Sequence, residues 1–247
     1  MVAVALIGAD GAGKTTVARE VVRRLGPSAR YLYMGVNLDA SALMLPSTRF
    51  ALAIKRARGG KSDLQGFGTT LPVGRQRRSI AAGARTFLRM VNWLAEEWFR
   101  QIVSWWHERR GRIVIFDRHF FADYYASHID PRSRRHTAWA RLHGFVLARL
   151  YPRPDMVICL DAPAHVLWAR KPEGDIQSRE RRRQEYLRGA RAFKVFFVVD
   201  GGRPLEDVAS EVVDLIVAHA QKSPGQADGR DGRGAIATLD ADMTERA

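Results

Sequence analysis

The chain has 247 residues, of which 46% are hydrophobic and 27% charged, enough for one well-packed α/β core and too few for two comfortable ones. Its formal net charge is +14, but the basic residues gather in short groups around Lys55, Arg77, Arg110, Arg134 and Arg182 rather than along one helix face. That distribution speaks for phosphate chemistry or a solvated surface and against a nucleic-acid footprint.

One cysteine, Cys159, excludes an intrachain disulfide and fits a small buried residue in a reducing cytoplasm. No apolar run reaches the roughly 18 residues of a membrane span, and the protein is expected to be soluble and cytoplasmic. The apolar start of the chain has no basic residues before it and runs straight into a glycine-rich loop, which is not how a secretory signal is built.

Residues 2–7 form the first short apolar run and read as a strand. Gly8-Ala9-Asp10-Gly11-Ala12-Gly13-Lys14-Thr15 follows at once and fits G-x-x-x-x-G-K-[ST], opening a helix near Thr15. Strand, glycine loop and helix in this order are the context a phosphate-binding loop needs. The glycines let backbone N–H groups turn onto phosphate oxygens, Lys14 reaches the β- and γ-phosphates, and the Thr15 hydroxyl is placed for Mg²⁺. The donor phosphates of ATP therefore fall to Gly8, Asp10, Gly11, Ala12, Gly13, Lys14, Thr15 and Thr16.

Residues 30–34 read as a second strand. Residues 41–79 carry five glycines, many basic residues and few periodic apolar positions, and are expected to be a flexible excursion. From 84 to 109 the positions Phe87, Val91, Leu94, Trp98, Ile102 and Trp105 recur at spacings of three and four, which predicts a helix with this stripe packed on the core. Gly111 is its expected stop.

Residues 113–116 read as a third strand, and Asp117 follows it directly, at the sheet edge where open α/β folds bind ligands. Asp117 is thus a candidate for Mg²⁺, with capping of the next helix as the plain alternative. Residues 156–160 read as a fourth strand ending at Asp161, where a cap ahead of Pro163 and a functional role are equally open. The segment 171–191 is dense in arginine and reads as a lid able to bring positive charge over a transferring phosphoryl group. A fifth strand is expected at 195–199, and the Gly, Ala and Asp content of 223–247 predicts a disordered tail. Strand and helix alternating in this way predict a five-stranded parallel sheet covered by helices on both faces, a three-layer P-loop NTPase fold spanning residues 1–222.

The order of these landmarks resembles the thymidylate kinase family of P-loop nucleoside monophosphate kinases. The resemblance rests on the P-loop through Thr16, Phe116-Asp117-Arg118, Leu160-Asp161-Ala162-Pro163, the arginine-rich stretch with Glu185-Tyr186-Leu187, and Val199-Asp200-Gly201 leading into Pro204-Leu205-Glu206-Asp207-Val208. It implies that Asp10 contacts the acceptor, that Asp117 and Arg118 hold the acceptor phosphate and metal-bound water, and that Arg179, Arg182 or Arg183 supplies the lid charge, because Ala12 stands where other members carry an arginine. It further implies a homodimer through the Trp-rich helix. The pattern departs on that helix, where Glu96 stands near the position at which members carry an arginine that reads thymine.

The expected activity is transfer of the ATP γ-phosphoryl to a nucleoside monophosphate or related small acceptor. A P-loop kinase of another small molecule, and a nucleotide-dependent regulatory or nucleic-acid-binding protein, are the alternatives the sequence leaves.

Overall fold

The computed structural model describes residues 2–35, 43–57, 80–125, 129 and 138–222. Five parallel strands form one sheet in the order β2-β3-β1-β4-β5: β1 (Ala3–Ile7), β2 (Ala29–Tyr33), β3 (Ile113–Asp117), β4 (Met156–Asp161) and β5 (Phe196–Asp200). Each expected strand is present to within about a residue at either end. The central strand β1 is buried at all five positions, so it reads as an unbroken apolar run instead of alternating, as strands covered on both faces do.

Alternate residues of β1 feed two cores. Val4 and Leu6 point to a layer completed by α1 (Lys14–Leu25) and α8 (Leu205–Lys222) through Val17, Ala18, Val21, Val208, Val212 and Ile216. Ala3, Ala5 and Ile7 point to the opposite layer with Phe120, Phe121, Leu147 and Tyr186, from α4 (Phe120–Tyr124), α5 (Ala138–Arg149) and α7 (Ile176–Arg188). The long helix α3 (Ile80–Glu108) joins this second layer through Trp98 and Val103, and α6 (Ala164–Arg170) bridges β4 to α7.

The excursion at 41–79 contains a helix, α2 (Pro46–Ala57). Pro46 presets the first helical φ, and three ties bind its start to α3: Leu45 N to the Glu96 carboxylate at 2.9 Å, Ser47 Oγ to Asn92 at 2.9 Å, and Asn92 Nδ2 to Thr48 at 2.8 Å. Residues 41–42, 58–79 and the tail at 223–247 lie outside the described residues.

The expected stripe of α3 is corrected in part. Trp98 and Trp105 do pack, edge to face at 6.3 Å, but Val91 and Ile102 are exposed, and the inward face carries Glu96, Glu97, Arg100, Gln101 and Ser104, all nearly inaccessible. Gly111 ends the helix as expected, with φ 73 and its N–H on Glu108 O.

Candidate active site

The P-loop leaves the C-terminal end of β1 and turns into α1 through glycines with positive φ: 144 at Gly8, 94 at Gly11 and 81 at Gly13. A Cβ at Gly8 would strike the carbonyl oxygen of Leu160, and one at Gly11 the carbonyl oxygen of Leu167, so the loop lies directly against β4 and α6. Lys14 folds back over it, its Nζ donating to Gly8 O at 2.8 Å and Ala9 O at 2.9 Å. Burial, then the nearby Arg118 charge, pull the Lys14 ammonium down to about 8, against the attraction of Asp10. Ala12 is buried in the core beneath the loop and Thr16 is exposed.

Asp117 closes β3 under this loop. Its Oδ2 accepts the Thr15 hydroxyl at 2.6 Å and the Tyr31 hydroxyl at 2.8 Å, while the buried Oδ1 has no hydrogen-bond partner among the described residues. The N-cap position of the next helix, α4, falls at His119, two residues on, so capping is not the role of Asp117. An orphaned carboxylate oxygen beside a P-loop threonine fits Mg²⁺. Among the described residues no cluster of three or more His, Cys, Asp or Glu forms a cage, which suits a cation held by one or two protein groups together with substrate phosphates.

Arg118 sits in left-handed backbone, φ 71, the one non-glycine residue with positive φ among those described. The bonds on either side hold it there: Arg118 N donates to Leu6 O and Met34 N to Asp117 O, both at 3.0 Å. Its Nη2 donates to Asp10 Oδ1 at 2.6 Å, and Lys14 Nζ lies 3.9 Å from the same carboxylate. Burial raises the Asp10 carboxyl, yet the Arg118 and Lys14 charges outweigh it and hold it at about 2. Burial likewise opposes the Arg118 charge, and Asp123 and Asp10 overcome it.

The three candidate lid arginines on α7 have distinct settings. Arg179 is buried and donates to three carbonyls: Asp10 O at 2.5 Å, Glu173 O at 2.6 Å and Lys171 O. Arg182 donates to Asp123 O at 2.8 Å, to Glu185 and to the Tyr186 hydroxyl. Arg183 pairs with Asp161 Oδ1 at 2.6 Å and with Glu180. Asp161 thus anchors α7 to the end of β4; the cap position of α6 belongs to Pro163.

Three residues that the sequence reading passed over belong to the site or its wall. Asp123, buried on α4, accepts the Tyr186 hydroxyl at 2.6 Å and faces Arg118 and Lys14; a lone acid inside the aromatic run 120–125 was the available signal. Arg100, one turn after Glu96, is almost fully buried and donates to Gly35 O at 2.8 Å at the mouth of β2. Tyr31 reaches Asp117 from the edge strand, and nothing local in the sequence announces it. Behind these, Glu97 contacts the His143 ring at 3.2 Å with both side chains sealed from solvent, and burial pushes the Glu97 carboxyl up.

No protein-family model and no curated protein matches this sequence. Among solved structures, a deoxyadenosine kinase from M. mycoides with products dCMP and a flexible dCDP bound superposes with a TM-score of 0.52 at 14% identity, covering 87% of this chain and 99% of that one. The same enzyme with bound dATP superposes at 0.48 and 15% identity, over 90% of this chain and 100% of that one. At such identity the likeness is one of fold: this chain shares the architecture of a deoxyadenosine kinase over nearly that protein's whole length.

Proposed function

We propose that this chain is an ATP-dependent phosphotransferase that moves the γ-phosphoryl group to a nucleoside or nucleoside monophosphate. The observation that carries the reading is the joining of the P-loop to the end of β3 by two 2.6 Å bonds, Thr15 to Asp117 and Arg118 to Asp10. A donor-phosphate cradle, a cation-binding pair and an acceptor-facing cation thereby share one edge of the sheet.

In this reading the P-loop amides and Lys14 stabilise charge on the β- and γ-phosphates, Lys14 exchanging its two carbonyl partners for phosphate oxygens. Thr15 and Asp117 would hold Mg²⁺, which neutralises phosphate charge when bound. Arg118 orients the acceptor, and Asp10, holding Arg118 in place, accepts from the acceptor's hydroxyl. Helix α7 closes the site, with Arg182 and Arg183 at its inner side. A loose phosphoryl-transfer transition state is served by this positioning and positive charge, with little demand on a strong base.

The thymidylate kinase resemblance favours a nucleoside monophosphate acceptor, and the solved neighbour, a deoxyadenosine kinase, favours a deoxynucleoside. A panel of deoxynucleosides and their monophosphates, each with ATP and Mg²⁺ and the product identified by mass, separates the two. We expect turnover on at least one acceptor, abolished in Lys14→Ala with the far-UV spectrum unchanged. Equal turnover in Lys14→Ala, or none on any acceptor in the wild type, would sink the reading.

The exposed Val91, Ile102 and Trp106 on α3 and Leu142 and Phe145 on α5 support a homodimer through these helices. Sedimentation of Ile102→Glu beside the wild type tests it; identical profiles would count against a dimer there.

A further inference from the structure

Asp117 is oriented from two sides, and only one of them belongs to the P-loop. Thr15 and Tyr31 both donate to Oδ2. A carboxylate oxygen only accepts, so two hydroxyl protons converging on one oxygen fix the rotation of the group. The consequence is that Oδ1, buried and without a hydrogen-bond partner among the described residues, is the atom left for another ligand.

Tyr31 is built for this from the edge of the sheet. Its backbone pairs with Ile115, two residues before Asp117 on the neighbouring strand. Its ring lies under the Arg19 guanidinium of α1 at 5.7 Å, and its side chain packs against the same core layer as α1. The hydroxyl is thus delivered by β2 and steadied by α1, independently of the loop that carries Thr15.

We infer that Tyr31 is a positioning residue for the cation site, holding the Asp117 carboxylate in the rotation that leaves Oδ1 for Mg²⁺. The inference rests on the proposed metal role of Thr15 and Asp117 and adds a third residue, from the edge strand β2 and outside the P-loop. Groups that orient a metal-binding side chain typically alter metal affinity 10-fold or more when removed.

The test is binding of a fluorescent ADP analogue to the full chain, once in Mg²⁺ and once in EDTA, for wild type, Tyr31→Phe and Asp117→Asn. The ratio of the two affinities reads the metal contribution alone. Tyr31→Phe keeps the ring and its Arg19 contact, and we expect it to leave the EDTA affinity unchanged and to cut the Mg²⁺ enhancement by about 10-fold, with Asp117→Asn removing most of the enhancement. Loss of affinity to the same degree in both conditions would mean a merely structural role and overturn the inference. So would a full enhancement in Tyr31→Phe beside a lost one in Asp117→Asn. Full enhancement in Asp117→Asn would instead overturn the metal reading on which the inference stands.

Discussion

Arg179 donates to the carbonyl oxygen of Asp10 at 2.5 Å, so helix α7 is fastened to the backbone of the P-loop by a buried guanidinium. The same side chain gathers the carbonyls of Lys171 and Glu173 and so holds the turn that leads into α7. Hydrogen bonds from a charged donor contribute about 1.5–3 kcal/mol, and Arg179→Ala removes three while vacating a buried volume. We expect Arg179→Ala to lower unfolding free energy by about 3 kcal/mol, read by urea denaturation. Arg183→Ala breaks a partly exposed pair with Asp161, whose contribution is about 1 kcal/mol. Equal losses in the two variants would show that Arg179 is not the fastening.

The P-loop glycines differ in what surrounds them. At Gly8 and Gly11 a side chain meets the fixed carbonyls of Leu160 and Leu167, whereas at Gly13 no atom of the described residues lies within 4 Å and only the positive φ resists. Gly13→Ala should cost about 1–2 kcal/mol for left-handed backbone. Gly8→Ala and Gly11→Ala should cost clearly more, because backbone must shift. Thermal denaturation of the three gives the order, and a Gly13→Ala as damaging as the others would contradict it.

Lys14 ionises at about 8 in the free protein, pulled down first by burial. Between that value and its ordinary 10.5 the folded chain binds fewer protons than the unfolded one, so this residue's contribution to stability improves as pH rises through that window. Nucleotide binding runs the opposite way, because phosphate oxygens restore the ammonium. At pH 8.5 binding of ADP should therefore take up about half a proton or more, and affinity should fall as pH rises above 8. Calorimetry in two buffers of different ionisation heat measures the uptake. Buffer-independent heats, or equal uptake in Lys14→Ala, would exclude this role.

The strands and the P-loop were legible because both are local. Buried parallel strands leave short apolar runs, and the loop carries its glycines, Lys14 and Thr15 in fixed order. The inward face of α3 was not legible for a physical reason: a period of three to four reveals a stripe but not which stripe turns inward. The apolar reading placed Val91 and Ile102 inside, whereas Glu96, Glu97 and Arg100 occupy that face because their partners, Leu45 N, His143 and Gly35 O, lie 46 to 65 residues away in the chain. Tyr31 was missed likewise, its acceptor being 86 residues distant. Asp117 could be read since its place after a strand is local, but its choice of Thr15 over a capping role is tertiary.

The left-handed backbone at Arg118 sets conformational cost against side-chain charge at one position. Glycine there would relieve about 1–2 kcal/mol of conformational cost and would remove the cation that both Asp10 and the buried Asp123 face. In Arg118→Gly the backbone gain should therefore be offset by two carboxylates left without their shared cation. The strained backbone is thus tolerated for its guanidinium, whose charge serves the fold through Asp10 and Asp123 and, on the proposed function, the acceptor.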